Sequence, residues 1–423
     1  MKIAVIGAGL TGLAAAWKLS PEHDVLVLEK DSFTGGMASS HRVDWDGKAY
    51  SISKTYHHVL GGDATTVEFA RRFGLDVSSS KVKQGFIYKG RIHPFSSPLE
   101  ILLFPHPLMD KARLARFVMS GKGVTDWERF SGMSAAGFIT KYAGTNNYRV
   151  FFRKLLRNKF HEDPENIGAP WFGTRFFKEA SSFMGRLGWI EGGIQGLVDG
   201  FAKGIEGNDG VIRTGAEVTS VSIKTGNVAY RERGKLKRGK FDRVISTIPP
   251  AAFLGLASGL AAAQKKALGG VRYLSCLSLA VGLKADPPAC YWNNVLDEGL
   301  PFSVAFKHSQ LYRDSCPPGK SVFFIAKYLK KGESPWPKRD DEIKELFLSA
   351  MDGVIPGFRG LVEWSRLFRI EDAEAIYSMG FSNPPESLGR VRFAGIYRIY
   401  PKIRNMASAI ESGLEAADAI AQR

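Results

Sequence analysis

Apolar positions follow two periods within the first part of the chain. Lys2–Ile6 is a short continuous apolar run, Gly7–Gly12 a glycine turn, Leu13–Leu19 an alanine-rich helix and Val25–Glu29 a second apolar strand. A strand that is apolar at every position buries both faces, so two such strands around a helix predict a parallel sheet covered on both sides. The same strand type returns much later. Phe241–Ile248 is apolar until Pro249 and Pro250 stop it, and Arg392–Gly395 leads into a helix from about Asn405.

Between these runs the pattern differs. From about Pro94, prolines give way to helical stretches that mix basic and aromatic residues. Arg149–Phe160 sets Arg and Lys among Val, Phe and Leu, which predicts an amphipathic helix with a solvated face; lying on a membrane surface is the rarer use of such a helix. Gly192–Glu206 reads as a glycine-initiated helix, and Val211–Arg213, Glu217–Ile223 and Asn227–Arg233 alternate as strands. Six of the ten residues in Arg231–Lys240 are basic, which predicts an exposed hairpin tip. Residues 251–380 mix strands and helices, and no internal repeat is found. The expected fold is α/β, with a Rossmann-like cofactor domain made of separated segments (1–93, 186–250 and 381–423). A helical segment (94–185) and an α+β substrate domain (251–380) interrupt it.

Composition narrows the function. A chain of 423 residues, 44% hydrophobic and 24% charged, is an ordinary globular protein of two or three domains. Its net charge of +16 favours anionic partners, but no basic arm, zinc-finger spacing or stacking-aromatic signature accompanies it, so nucleic acid is not expected. Peripheral contact with a membrane is left open. Cys276, Cys290 and Cys316 are far apart, which argues for a reducing compartment, here the cytoplasm, and against disulfides or a zinc site. Ile3–Ile6 is not read as a signal peptide, because cleavage in the following alanines would destroy the glycine turn. The longest uncharged run, Val244–Gln264, contains two prolines and is expected as strand, turn and short helix rather than as a membrane span.

The glycine turn carries the chemistry. Gly7-Ala8-Gly9-Leu10-Thr11-Gly12 fits G-x-G-x-x-G after a strand and before a helix. Gly7 makes the tight turn, Gly9 admits a pyrophosphate to the backbone and Gly12 lets helix and sheet approach. Amides at the helix start bind phosphate oxygens. Glu29 follows at the end of the next strand, where a carboxylate accepts hydrogen bonds from a ribose diol. A second glycine pair, Gly35-Gly36, then follows too soon for the simple NAD fingerprint.

At this point the sequence resembles the flavin-containing amine oxidase superfamily, which includes protoporphyrinogen oxidases, phytoene desaturases and, more distantly, UDP-galactopyranose mutases. Glu191–Leu197 resembles the family's glycine-led helix, and Gly215–Val221 with Val244–Pro249 its second cofactor strand and the strand that closes it. Phe393-Ala394-Gly395, Ala407 and Ser412-Gly413 resemble the C-terminal flavin segment. The resemblance implies FAD as cofactor, with Gly35 and Gly36 against the diphosphate and the backbone of Val218 at the adenine end. It also places Leu10, Thr11, Lys30, Met37, Gly395, Ile396, Met406 and Ala407 along the cofactor. Ile396 departs from the family, which commonly has an acidic residue there, so that side-chain contact is lost.

Candidate catalytic residues follow the two ends of the cofactor site. In Tyr56–Leu60, the adjacent His57 and His58 resemble the stretch with which the mutases place a histidine by the flavin; strand geometry predicts that only one of the two faces the ring. Local backbone groups satisfying both rings is the other reading. Ile396–Arg404 combines aromatics with cations. Tyr397 is a candidate for stacking, and Arg398 or Arg404 for holding a carboxylate or phosphate. Tyr291–Asn294, Pro301-Phe302 and His308 are candidates for a pocket wall. The expected activity is oxidation of a C–H or C–N bond of a small molecule, which an anion would suit. A flavin-dependent isomerase like the mutases is the alternative, and a flavoprotein fold kept as a binding subunit is a third. The oligomeric state is not indicated.

Overall fold

The computed structural model describes residues 1–179 and 186–422. The last part of the expected helical segment, 180–185, lies outside the described residues.

Four separated stretches of the chain build a six-stranded sheet. Its order is Ser387–Leu388, Val391–Phe393, Arg243–Ser246, Lys2–Ile6, Asp24–Leu28 and Val211–Arg213, parallel except for the edge hairpin. Ile3, Val5, Val25, Val27 and Ile245 are buried against the helices Leu10–Leu19, Gln195–Glu206 and Met406–Ala421. Burying both faces is what made these strands legible as continuous apolar runs. The helix expected from Gly192 begins at Gln195, because Gly192 and Gly193 both take positive φ and form a turn before it.

A four-stranded sheet follows, ordered Lys235–Lys240, Asn227–Glu232, Ala216–Ser222, Ala257–Ser258. The basic run is the outer strand of its hairpin and not merely the tip, which is Arg233-Gly234 at positive φ. Glu232 offsets part of the charge by pairing with Arg213 and Lys237.

The third layer is a seven-stranded sheet, ordered Val362–Ala375, Tyr273–Leu283, Ser321–Leu329, Val304–Lys307, Trp292–Val295, Gln84–Tyr88, Arg91–Pro94. Helix Asp340–Val354 buries Ile343, Phe347 and Met351 against it. Gln84–Pro94 therefore belongs with this seven-stranded sheet, and the boundary expected after residue 93 falls at its end rather than at the end of the six-stranded layer. Helices between Pro98 and Gly173 close one side through an aromatic core that includes Phe117, Phe138, Phe152 and Phe172.

The N-terminal and C-terminal helices cross at a glycine. A Cβ on Gly413 would lie 2.2 Å from the Thr11 carbonyl oxygen. Gly413→Ala is expected to destabilise the fold by about 1–3 kcal/mol through overpacking. A lowered thermal midpoint checks this; an unchanged one contradicts the crossing.

Candidate functional site

The turn after the first strand and the loop after the second meet without side chains. Gly9 and Gly35 form an isolated parallel bridge, and Gly35 N donates to Ala8 O at 2.7 Å. A Cβ on Gly36 would stand 3.4 Å from the Gly9 Cα, while Gly35 and Gly36 both have positive φ. No atom lies within 4 Å of the Cβ position at Gly9, which faces open space. Gly12 has a different task. Its Cβ would fall 1.9 Å from Gly7 O, so it packs the helix on the turn and does not line the space in front. Thr247 ties the neighbouring strand to this turn, its Oγ1 donating to Ile6 O at 2.8 Å.

Glu29 is buried beside the turn. Its Oε2 accepts from Ala8 N at 2.7 Å and its Oε1 from Asp31 N at 2.9 Å. Two backbone donors orient the carboxylate and leave it acceptor capacity toward the cavity that it lines. Across from it, Ala216 N donates to Glu29 O, which docks the strand carrying Val218.

This space belongs to one cavity of about 1000 Å³. On the side of the cofactor sheet it is lined by Gly7, Gly9, Leu10, Thr11, Glu29, Lys30, Gly35, Gly36, Met37, Val218, Gly395, Ile396 and Met406. Ala407 does not line it; it is buried in the first turn of the helix behind Met406. On the side of the seven-stranded sheet the lining includes Tyr56, Trp292, Asn294, Tyr328 and Arg404, with Phe152, Lys159, Trp171, Phe172, Arg175 and Phe176 from the helical layer.

Both histidines line the cavity, contrary to the alternation expected of a strand. Residues 54–58 are irregular backbone, so neighbouring side chains are free to point the same way. Burial, reinforced by Arg404, lowers the His57 pKa to about 4; burial, reinforced by Arg175, lowers that of His58 to about 3. Both rings are therefore neutral near pH 7. His57 Nδ1 lies 3.0 Å from Thr55 O, and His58 packs at 5.2 Å from the Trp292 ring.

Tyr397 is buried on the cavity wall, with no hydrogen-bond partner for its hydroxyl among the described residues. Arg398 is placed elsewhere. Its guanidinium donates to the carbonyls of Pro384 and Phe393 and pairs with Glu386 at 3.4 Å, so it fastens the C-terminal turn and is absent from the cavity lining. Arg404 points inward in its place. Of the inserted candidates, Trp292 and Asn294 reach the cavity, whereas Phe302 packs under helix Asp340–Val354 and His308 stacks on Tyr312 at 4.4 Å.

Arg404, one of the two arginine candidates of the sequence, belongs to a buried charge cluster whose other members, Lys159 and Glu374, sequence reasoning missed. Its Nε and the Lys159 Nζ each lie 3.0 Å from Glu374 Oε2. Arg404 also donates to Ala373 O at 2.7 Å and to Tyr328 Oη at 2.8 Å, and its Nη1 reaches Met37 Sδ at 3.4 Å. The Tyr328 and Tyr56 hydroxyls are hydrogen-bonded at 2.8 Å. Burial alone pushes the Glu374 carboxyl up, but Lys159 and Arg404 outweigh it and hold the group below its usual range. For Lys159, burial dominates over the attraction of Glu374 and, with Arg175 and Arg404 adding repulsion, lowers the ammonium to about 8. Arg175 is near enough to perturb Lys159, Glu374 and His58, yet makes no hydrogen bond or ion pair with a described residue. Asp372 and Glu371, on the same strand as Glu374, also line the cavity; Glu371 pairs with Lys331.

Comparison with known proteins bears on what fills the glycine cradle. The model of the flavin-containing amine oxidoreductase family matches residues 10–421. The flavin-dependent L-tryptophan oxidase of Lentzea aerocolonigenes is 26% identical over 319 residues, covering 66% of this chain and 65% of that protein. Matches to the curated relatives span between 20% and 65% of their own lengths. Among solved structures, an oxidoreductase from Methanosarcina mazei superposes with a TM-score of 0.74 at 20% identity, covering 99% of this chain and 100% of that one. Reduced UDP-galactopyranose mutase gives 0.74 at 16% identity, covering 100% and 95%. These two likenesses speak for the fold. A backbone cradle open at Gly9, a helix N-terminus above it and an oriented carboxylate at Glu29 suit the diphosphate and ribose of a dinucleotide. With nearly the whole chain matched, the protein belongs to the flavin-containing amine oxidoreductase family, and its cofactor is FAD.

Proposed function

We propose that the protein is an FAD-dependent oxidoreductase acting on a small anionic molecule with an apolar body, oxidised at a C–H or C–N bond. The observation that carries this reading is the continuity of one cavity from the glycine cradle to the buried cluster of Arg404, Lys159 and Arg175. FAD, when bound, supplies the hydride acceptor. The chain's own residues position the substrate. Arg175 offers guanidinium donors to a carboxylate, and Arg404 and Lys159, both held by Glu374, add charge behind it. Phe152, Trp171, Phe172 and Phe176 receive the apolar body and exclude water. Neutral His57 and His58 border the same space as hydrogen-bonding groups, and Tyr397 leaves a hydroxyl available. The substrate named for the tryptophan oxidase relative, an aromatic amino acid, unites a carboxylate with an apolar body, which supports this class without fixing the molecule.

Mixing the holoprotein with candidate acids in the absence of air tests the reading. Bleaching of the oxidised flavin is expected. Turnover seen only after dithionite reduction, with no bleaching by any substrate, would show a non-redox isomerase instead.

The cations make a further expectation about substrate binding. Arg175→Ala removes a charge-assisted hydrogen bond and should raise the apparent substrate constant about ten- to a hundredfold. Lys159 is charged below about pH 8 and loses that charge above it. KM should therefore be low below this pH and climb as pH rises through it. In Lys159→Met the KM should be raised roughly tenfold at pH 7, without the climb. A KM insensitive to both variants places the substrate elsewhere.

A further inference from the structure

Helix Pro98–Leu103 contains Leu99, Ile101, Leu102 and Leu103, yet buries no side chain fully. The next helix, Leu108–Lys122, carries two stripes at helical spacing. Asp110, Leu114, Phe117 and Gly121 face the core, while Leu108, Ala112, Ala115 and Met119 are exposed on the other side with Met109 beside them. Leu99, Leu102, Leu103, Leu108, Met109 and Met119 are 55% to 76% exposed. They make up six of the thirteen exposed large apolar side chains among the described residues, concentrated in two consecutive helices. Lys111 Nζ donates to Leu102 O and ties the two helices into one surface.

Charge on this surface is one-sided. Both acids are turned inward: Asp110 is buried and accepts from Asn146, and Glu100 caps its own helix and pairs with Lys83. The exposed cations Arg116 and Lys122 make no ion pair with a described residue. An exposed aliphatic stripe flanked by unpaired cations is the reverse of an ordinary surface helix, which puts its charges where these leucines and methionines stand.

We propose that this face docks on a lipid bilayer that carries anionic headgroups, with the leucines and methionines among the acyl chains and Arg116 and Lys122 at the phosphates. Two features favour lipid over a protein partner. The cations flanking the stripe match an anionic leaflet. The chain as a whole carries +16. The run Arg149–Phe160, for which lying on a membrane was the rarer reading, is not this surface; its helical part is Arg153–Phe160. It buries Leu156 and Phe160 in the core and directs Lys159 into the cavity. The docking face lies on the same helical layer as the apolar cavity wall, since the inner side of Leu108–Lys122 puts Phe117 at 6.5 Å from Phe172 and 6.2 Å from Phe176 between ring centres.

Sedimentation of the holoprotein with vesicles tests this. Vesicles of phosphatidylcholine mixed with phosphatidylglycerol should carry the protein into the pellet, phosphatidylcholine alone much less, and high salt should weaken the binding. The triple variant Leu102→Ser, Leu103→Ser, Met119→Ser should bind about tenfold more weakly or worse, because it removes the inserted surface. Arg116→Glu with Lys122→Glu should lose the preference for anionic lipid, each reversed charge being worth about fivefold or more. Met119→Trp keeps the surface apolar, and its emission should shift to the blue when mixed vesicles are added. Protein that stays in solution with both lipids, or an indole emission that does not move, overturns the proposal. So does a lipid-free dimer that the triple variant converts to monomer, since a second copy would then cover the face.

Discussion

One buried carboxylate organises the side of the cavity away from the glycine cradle. Glu374 stands at the end of a long strand, Lys159 comes from a helix of the helical layer, and Arg404 comes from the segment that leads into the last helix. Taking any of these charges from water alone costs several kcal/mol, about what Coulomb attraction at 3 Å restores when the pairs are complete. Three parts of the chain are thus committed to one geometry. The cluster is not neutral, however. Two cations share the carboxylate and Arg175 adds a third, so a positive excess remains beside the cavity. A surface of that sign, walled by aromatic rings, is unfavourable empty and favourable when an anion completes it. The contact of Arg404 with Met37 joins this cluster to the glycine pair that forms the cofactor cradle.

The cofactor half was legible because backbone constraints dictate residue type. A turn at Gly7, open space at Gly9 and positive φ at Gly35 and Gly36 leave little choice but glycine, so the spacing in the sequence is the geometry itself. Strands buried on both faces announce themselves by continuous apolar runs. Those two signals carried the sheet, its interrupted path through the chain and a dinucleotide as ligand; the family resemblance made that ligand FAD.

The substrate half was not legible for equally physical reasons. Arg398 and Arg404 lie six positions apart in a stretch without regular period, and nothing local says that the first grips backbone carbonyls while the second points inward. Lys159 was read as part of a solvated face. Its neighbours Arg153 and Arg157 do lie on the surface, and one more cation in the same pattern gives no sign of turning in. Glu374 follows a run of charged strand residues that are mostly outside, and only the tertiary fold buries the last of them. Adjacent histidines suggested opposite faces only on the assumption of a strand, which the irregular backbone at residues 54–58 removes. A shared cofactor cradle thus says little about the far end of the cavity, which is lined by side chains from other layers.

The account rests on an anion completing the cluster of Arg175, Lys159 and Arg404 within reach of the flavin. The most direct measurement compares, on the same holoprotein without air, the rate of flavin bleaching by a carboxylic acid substrate and by its methyl ester. The acid should bleach the flavin, with the ester about a hundredfold slower or worse at equal concentration, because the ester leaves the guanidinium donors without their partner. Equal bleaching by acid and ester would contradict the account.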